Sequence, residues 1–246
     1  MESTFVIARA VIADAARRKV IWVVLVFAAL LALAVPSLPS YGQGVVSAVY
    51  REVTVALMFT ATIVVALALA ATRIPNEVER RTVFALLARD VRRWHYVVGS
   101  WIGMFAVIGL VLAAFTAVSI VVGFVVYDEL MVVLLQGALG VWLEAGVVMA
   151  LTVLMSTRFN PVTTIVGALA FLFVGHSVVG LIAPAEHGSS SAPWWIPSLE
   201  IFNVINPVAH GSGYNLVYGL AMLAAFVAWS TLLLAGASAL FAGRDL

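Results

Sequence analysis

The chain has 246 residues, 64% of them hydrophobic and 10% charged, with a formal net charge of +1 and a mean hydropathy of +1.12. A soluble domain carries about 25% charged residues, so no globular core of this size could hide so much apolar side chain behind a polar shell, and an integral membrane protein is the class the composition allows. The lack of cysteine excludes disulfides, thiol chemistry and cysteine metal sites, and the basic residues cluster by topology and form no nucleic-acid-reading element.

Residues 1–19 predict an amphipathic helix. Phe5, Ala8, Val11, Ile12, Ala15 and Ala16 fall within one arc, with Glu2, Arg9, Asp14 and Arg17 opposite and Val6 and Ile7 interrupting the polar side. That pattern suits a helix in the membrane interface, or the cytoplasmic start of the first span. No apolar core followed by a small-residue cleavage site occurs in the first eighteen residues, so no removed signal peptide is expected. Six apolar runs come next, at about 20–35, 53–71, 97–126, 130–155, 162–183 and 216–242. Most reach the ~20 residues that a tilted helix needs to cross a bilayer. There is no internal repeat, and residues 1–246 read as a single all-α transmembrane domain of six spans.

The charges orient these spans. With six crossings, one side holds Arg9, Arg17, Arg18, Lys19, Arg73, Arg80, Arg81, Arg89, Arg92, Arg93, Arg158 and Arg244. The other holds Arg51 alone, against Glu52, Asp128, Glu129, Glu186 and Glu200. Twelve basic residues against one is a positive-inside split that places both termini in the cytoplasm of a multi-pass plasma-membrane protein. The spans at 97–126 and 130–155 are joined by the tight external hairpin Tyr127-Asp128-Glu129, and Pro161 starts the fifth span. The external segment 184–214 holds Trp194 and Trp195 between prolines, then Phe202 in an apolar stretch ending at Asn206-Pro207. Paired tryptophans fit the headgroup layer, which predicts a short helical or re-entrant element there rather than a free loop. A compact cap clear of lipid is the other possibility.

Residues 73–100 form the strongly charged block in this greasy chain, with six of its thirteen basic residues and three of its twelve acids. Ile74-Pro75 is expected to end or kink the second span. Asn76, Glu77 and Glu79 suit a new helix N-terminus. Thr82 can cap a short helix over 83–89, in which Val83, Leu86 and Leu87 share a face and Arg89 sits where the dipole favours a cation. Arg92-Arg93-Trp94 marks the return to the cytoplasmic headgroups. Exposed apolar residues on the wet side of a membrane call for a protein partner to cover them.

The string Glu77-Val-Glu-Arg-Arg-Thr82-Val-Phe-Ala-Leu86-Leu87-Ala-Arg-Asp-Val91-Arg-Arg93-Trp-His-Tyr96-Val-Val-Gly99-Ser resembles the coupling-helix signature of ABC-2-type permeases, the membrane subunits of a class of prokaryotic ABC transporters. Their pattern is an acid, Gly-Thr, a Leu-Leu pair, Pro-Val-Ser-Arg, an aromatic and Gly-Lys. Glu77, Thr82, Leu86, Leu87, Val91, Arg93, Tyr96 and Gly99 match it; Arg81, Asp90 and Ser100 depart from its Gly, Pro and Lys. The resemblance extends to the N-terminal interfacial helix, the six spans and the long external segment before the last. It implies ATPase coupling through Glu77, Thr82, Val83, Leu86, Leu87, Arg89 and Arg93, on a cytoplasmic coupling helix between spans two and three. It also implies ATP and Mg on separate cytoplasmic ATP-binding subunits, a second permease copy or homologue, and export as the direction.

The only lysine is Lys19, so a Gly-x-x-x-x-Gly-Lys-Ser/Thr phosphate loop does not occur, and no catalytic residue or cofactor is expected in this chain. Glu144 falls in mid-span. It reads as a cavity-facing group for substrate or coupling, or as an interhelical hydrogen-bond partner of a carbonyl, a hydroxyl or His176. His176 stands in Gly175-His-Ser-Val-Val-Gly180, which lacks the spacing of a hydrolase elbow. His187, His210, Glu186 and Glu200 have no tight metal-ligand spacing. Gly99-x-x-x-Gly103 permits close helix packing.

The sequence thus points to an ABC-type permease for a hydrophobic or amphipathic substrate. The alternatives are a permease serving an external accessory protein in metal-site maturation or lipoprotein handling, a membrane anchor or sensor that transports nothing, and an intramembrane enzyme using Ser177 or Glu144. Because the chain is cysteine-free, a Ser190→Cys variant should react with an impermeant maleimide from outside intact cells, and Ala88→Cys only from inside; the reverse labelling would overturn the topology.

Overall fold

The computed structural model describes residues 2–17, 20–34, 43–79, 93–182 and 198–243, and among them the structure is all-α. The elements are α1 (Glu2–Arg17), α2 (Val20–Ala34), α3 (Gln43–Glu79), α4 (Arg93–Tyr127), α5 (Leu134–Ser156), α6 (Pro161–Ile182), a 3-10 turn (Glu200–Phe202), α7 (Ile205–Ala209) and α8 (Leu216–Ala242). Among the described residues four helices, α3, α4, α5 and α8, are long and apolar enough to cross a membrane. The apolar helix α2 has 15 residues, and the described part of α6 that qualifies as apolar, Pro161–Ser177, is also shorter. Long apolar helices whose own backbones satisfy their polar groups are what hydrocarbon demands, and large side chains such as Leu110, Phe173 and Leu216 stand exposed on their outer faces. The architecture is that of an all-α membrane protein.

Helix α5 is the centre. It packs against α3, α4, α6 and α8, and most of its residues from Gly140 onward are buried. Two indole groups lock it to α4. The Trp101 Nε1 donates to the Gly146 carbonyl, and the Trp142 Nε1 donates to the Phe105 carbonyl, both at 3.1 Å. The Phe105 ring stacks on Trp142 at 4.4 Å between centroids and on Phe226 of α8 at 5.2 Å. Aromatic pairs of this kind add about 0.5–1.5 kcal/mol beyond the area they bury.

Helices α3 and α4 run antiparallel. At one end the Tyr50 hydroxyl donates to the Ser119 carbonyl at 2.6 Å. At the other the Tyr96 hydroxyl donates to Glu77 at 2.5 Å. Helix α3 continues through Pro75 to Glu79, so the proline does not end the span as its chemistry suggests. The lost backbone hydrogen bond is offset locally: Ile74 is fully buried, and the Arg73–Glu77 ion pair bridges the proline at i, i+4. The hairpin after α4 turns at Asp128, whose φ of 53° is left-handed.

Helix α1 docks on the start of α4. A Cβ at Gly99 would lie 2.9 Å from the Thr4 carbonyl oxygen, and one at Gly103 would lie 2.6 Å from the Val11 Cβ. The Gly-x-x-x-Gly pair therefore forms the seat for α1. That seat rotates the face its periodicity suggests: Ala8 and Val11 of the expected arc are buried, but Ile7 joins them while Phe5 is exposed. Gly236 of α8 offers a contrast, since a Cβ there would meet a Leu154 methyl tip at 3.3 Å. Gly103→Ala should lower stability by about 1–3 kcal/mol, as overpacking does, and Gly236→Ala should be neutral or slightly stabilising. Thermal unfolding of the two variants in one detergent checks this; equal effects would contradict the α1 seat.

Candidate functional site

Four polar side chains, from α5, α6 and the segment before α7, converge at one place. Glu144, midway along α5, is 2% exposed at its side chain. A carboxyl at such depth needs a partner, and α6 supplies it. Asn160 caps α6 by accepting the Thr163 N–H at 2.8 Å, Pro161 occupies the first turn, and the helix returns antiparallel to α5. His176 then faces Glu144, with Nε2 to Oε1 at 2.7 Å. The other ring nitrogen, Nδ1, lies 3.5 Å from Glu200 Oε2, and Asn203 donates to Glu200 Oε1 at 3.0 Å. The Phe59 ring of α3 meets the imidazole edge-on at 5.8 Å.

Glu200 reaches this place because the segment 198–209 is folded into the bundle. The Leu199 N–H donates to the Gly175 carbonyl at 3.1 Å. A side chain at Gly175 would strike Leu199 at 2.7 Å, and one at Gly140 would strike the Phe202 carbonyl oxygen at 2.9 Å. Leu199, Phe202, Val204 and Val208 are all buried as a result. The Tyr218 hydroxyl holds the segment from α8 by donating to the Ile201 carbonyl at 2.9 Å. Further along, Tyr214 donates its N–H to the Gln136 side chain at 2.8 Å. Burial, with Tyr218 adding to it, raises the Tyr214 hydroxyl above its ordinary pKa, and the hydroxyl donates to the Gln136 carbonyl at 3.3 Å.

Together these groups border a half-open pocket of about 380 Å³. Its walls are Val55, Phe59, Val141, Phe202, Val204 and Ile205, and its polar groups are Glu144, His176, Glu200 and Asn203. A larger recess of about 520 Å³ between α4 and α8 is lined by Trp94, Trp101, Phe226, Ser230 and Leu234 among others and holds no titratable group. Chemistry, rather than size, singles out the first. Among the described residues no group of His, Asp and Glu is arranged to hold a metal ion; Glu200 faces His176.

The expected coupling residues fare differently. Glu77 points inward, bound to Arg73 and to Tyr96, and so ties the end of α3 to the start of α4 on either side of residues 80–92. Arg93 is the first residue of α4. Thr82, Val83, Leu86, Leu87, Arg89, Trp194 and Trp195 lie outside the described residues. Phe202 lies 2% exposed in the pocket wall, not on an open outer surface. The roles of Glu200, Phe59 and Tyr96 had no signal in spacing, since each acts across helices. Arg51 did have one, as the lone basic residue on its side of the chain: it is buried, with Glu129 at 3.4 Å and the Ser47 carbonyl and hydroxyl at 3.1 and 3.0 Å.

The chain matches no family model and no curated protein.

The Glu144–His176 contact is measurable as a coupling. In a double-mutant cycle with Glu144→Gln and His176→Ala, the interaction should amount to about 0.5–2 kcal/mol, the range for interhelical hydrogen bonds within membranes. Strictly additive losses would contradict a direct bond.

Proposed function

We propose that this chain is the membrane-embedded permease subunit of an ATP-driven transporter of the ABC-2 type, exporting a hydrophobic or amphipathic substrate across the cell membrane. One observation carries the reading: the string from Glu77 to Ser100, with its matching acid, Thr, Leu-Leu, Arg, aromatic and Gly positions, joins two long antiparallel apolar helices. The tie from Glu77 to Tyr96 supports it, because a force applied between those residues would reach both helices at once. In this reading the six apolar runs are six spans. The side carrying residues 80–92 faces the cytoplasm with both termini, and the 198–214 segment faces outward.

That placement sets the mechanism. Two cytoplasmic ATP-binding subunits hold ATP and Mg; this chain performs no hydrolysis. A second permease copy or a homologue completes the path. The 83–89 helix seats in a groove of an ATP-binding subunit, with Leu86 and Leu87 as its apolar anchors. Closure of those subunits on ATP displaces the seat, and α3 and α4 carry the displacement into the bundle.

Replacing both anchors, Leu86→Asp with Leu87→Asp, should abolish substrate-stimulated ATP turnover in the reconstituted complex while the chain still inserts in the membrane. A doubly substituted complex that assembles and transports at the wild-type rate would sink the assignment.

A further inference from the structure

The pocket sets two carboxyl groups against a single imidazole. Each of the two contacts of His176, to Glu144 at 2.7 Å and to Glu200 at 3.5 Å, places a ring nitrogen against a carboxyl oxygen, and each needs one hydrogen between the two atoms. If both hydrogens sit on the ring, an imidazolium lies between two carboxylates. If one sits on a carboxyl group, a neutral imidazole lies between a carboxylic acid and a carboxylate. With those two hydrogens and no further proton, the three groups together carry one net negative charge in both arrangements.

Among the described residues, nothing in the pocket cancels it. No lysine or arginine lines the walls, and Arg51, one turn before Val55 on α3, is committed to Glu129 and Ser47. Asn203 contributes a neutral donor. The three groups are graded in depth: side-chain exposure falls from 43% at Glu200 to 29% at His176 to 2% at Glu144. Around it stand aliphatic walls and two phenyl rings, Phe59 and Phe202, whose faces attract cations. The volume, about 380 Å³, lies within the ~300–1,000 Å³ of small-molecule sites.

We infer that this pocket binds a monovalent organic cation with an apolar body, a lipophilic amine or quaternary onium ion, with its charge against Glu200 beside the His176–Glu144 pair and its body against Val55, Phe59 and Val204. A small hard metal ion would want a shell of oxygen ligands, and here an imidazole occupies the space between the two carboxyl groups. A neutral amphiphile would leave the net charge unanswered in apolar surroundings. Such a cation would be the substrate class of the proposed transporter, and its movement after binding rests on the transport reading; binding itself needs no partner subunit.

The test therefore uses the full chain alone in lipid nanodiscs, titrated with tetraphenylphosphonium and, separately, with neutral triphenylphosphine oxide, each corrected for empty nanodiscs. Tetraphenylphosphonium should bind saturably and at least about tenfold more tightly than the neutral compound, and Glu144→Gln and Glu200→Gln should each weaken it by about tenfold or more while leaving the neutral compound unchanged. Glu200 is partly exposed, so Glu200→Gln remains informative where Glu144→Gln disturbs the fold. Equal binding of the two compounds, or wild-type affinity in the Glu200→Gln variant, would overturn the inference. No ATP-binding subunit is present, so such a failure would leave the coupling assignment of residues 83–89 standing.

Discussion

Glu144 cannot be left alone where it is. An unpartnered acid at the centre of a membrane helix costs about 2.5–3.5 kcal/mol by insertion scales, and α5 is the helix most enclosed by others. The partner, His176, sits on the next helix, and its second nitrogen turns to Glu200. Glu200 can be there only because Gly140 and Gly175 let the 198–204 segment press its backbone and Leu199 against α5 and α6. A buried carboxyl group, two glycines and a loop folded inward are thus one arrangement. Lipid supplies no hydrophobic force between helices, so such contacts and close packing must hold the bundle.

Helix α3 connects this arrangement to the rest of the molecule. Along its 37 residues it carries the buried Arg51, then Val55 and Phe59 in the pocket wall, and finally the Arg73–Glu77–Tyr96 cluster beside residues 80–92. It continues as helix through Pro75. In the proposed transporter it is therefore the direct mechanical link between an ATP-driven partner and the pocket. Helix α4 accompanies it, braced by α1 at one end and by the Tyr50–Ser119 bond toward the other.

Much of the bundle was legible because apolar runs and breakers are local signals. The last helix, Leu216–Ala242, has the bounds its composition indicates, and the depth of Glu144 in a span is evident from counting residues. His176 could be named as one of several partners for it. Glu200 could not, since it lies in a loop and reaches the imidazole only through tertiary packing. The glycines Gly99 and Gly103 were visible as a packing motif, but no sequence signal identifies α1 as what they receive. Pro75 shows the converse: of the two outcomes its chemistry allows, an end or a kink, the helix does not end there, with Ile74 buried and an ion pair spanning the proline. The absence of a charge cluster along any one span hid the pocket's charge, because its two carboxyl groups come from different elements.

The central claim is that the two ends of α3 are energetically coupled. Linkage requires that a ligand acting at one end change affinity at the other. The most direct measurement is the affinity of the pocket for tetraphenylphosphonium in the proposed complex with ATP-binding subunits, with and without a non-hydrolysable ATP analogue. The account predicts a shift of at least about fivefold, the lower range of allosteric coupling. An affinity identical in the two states would contradict it.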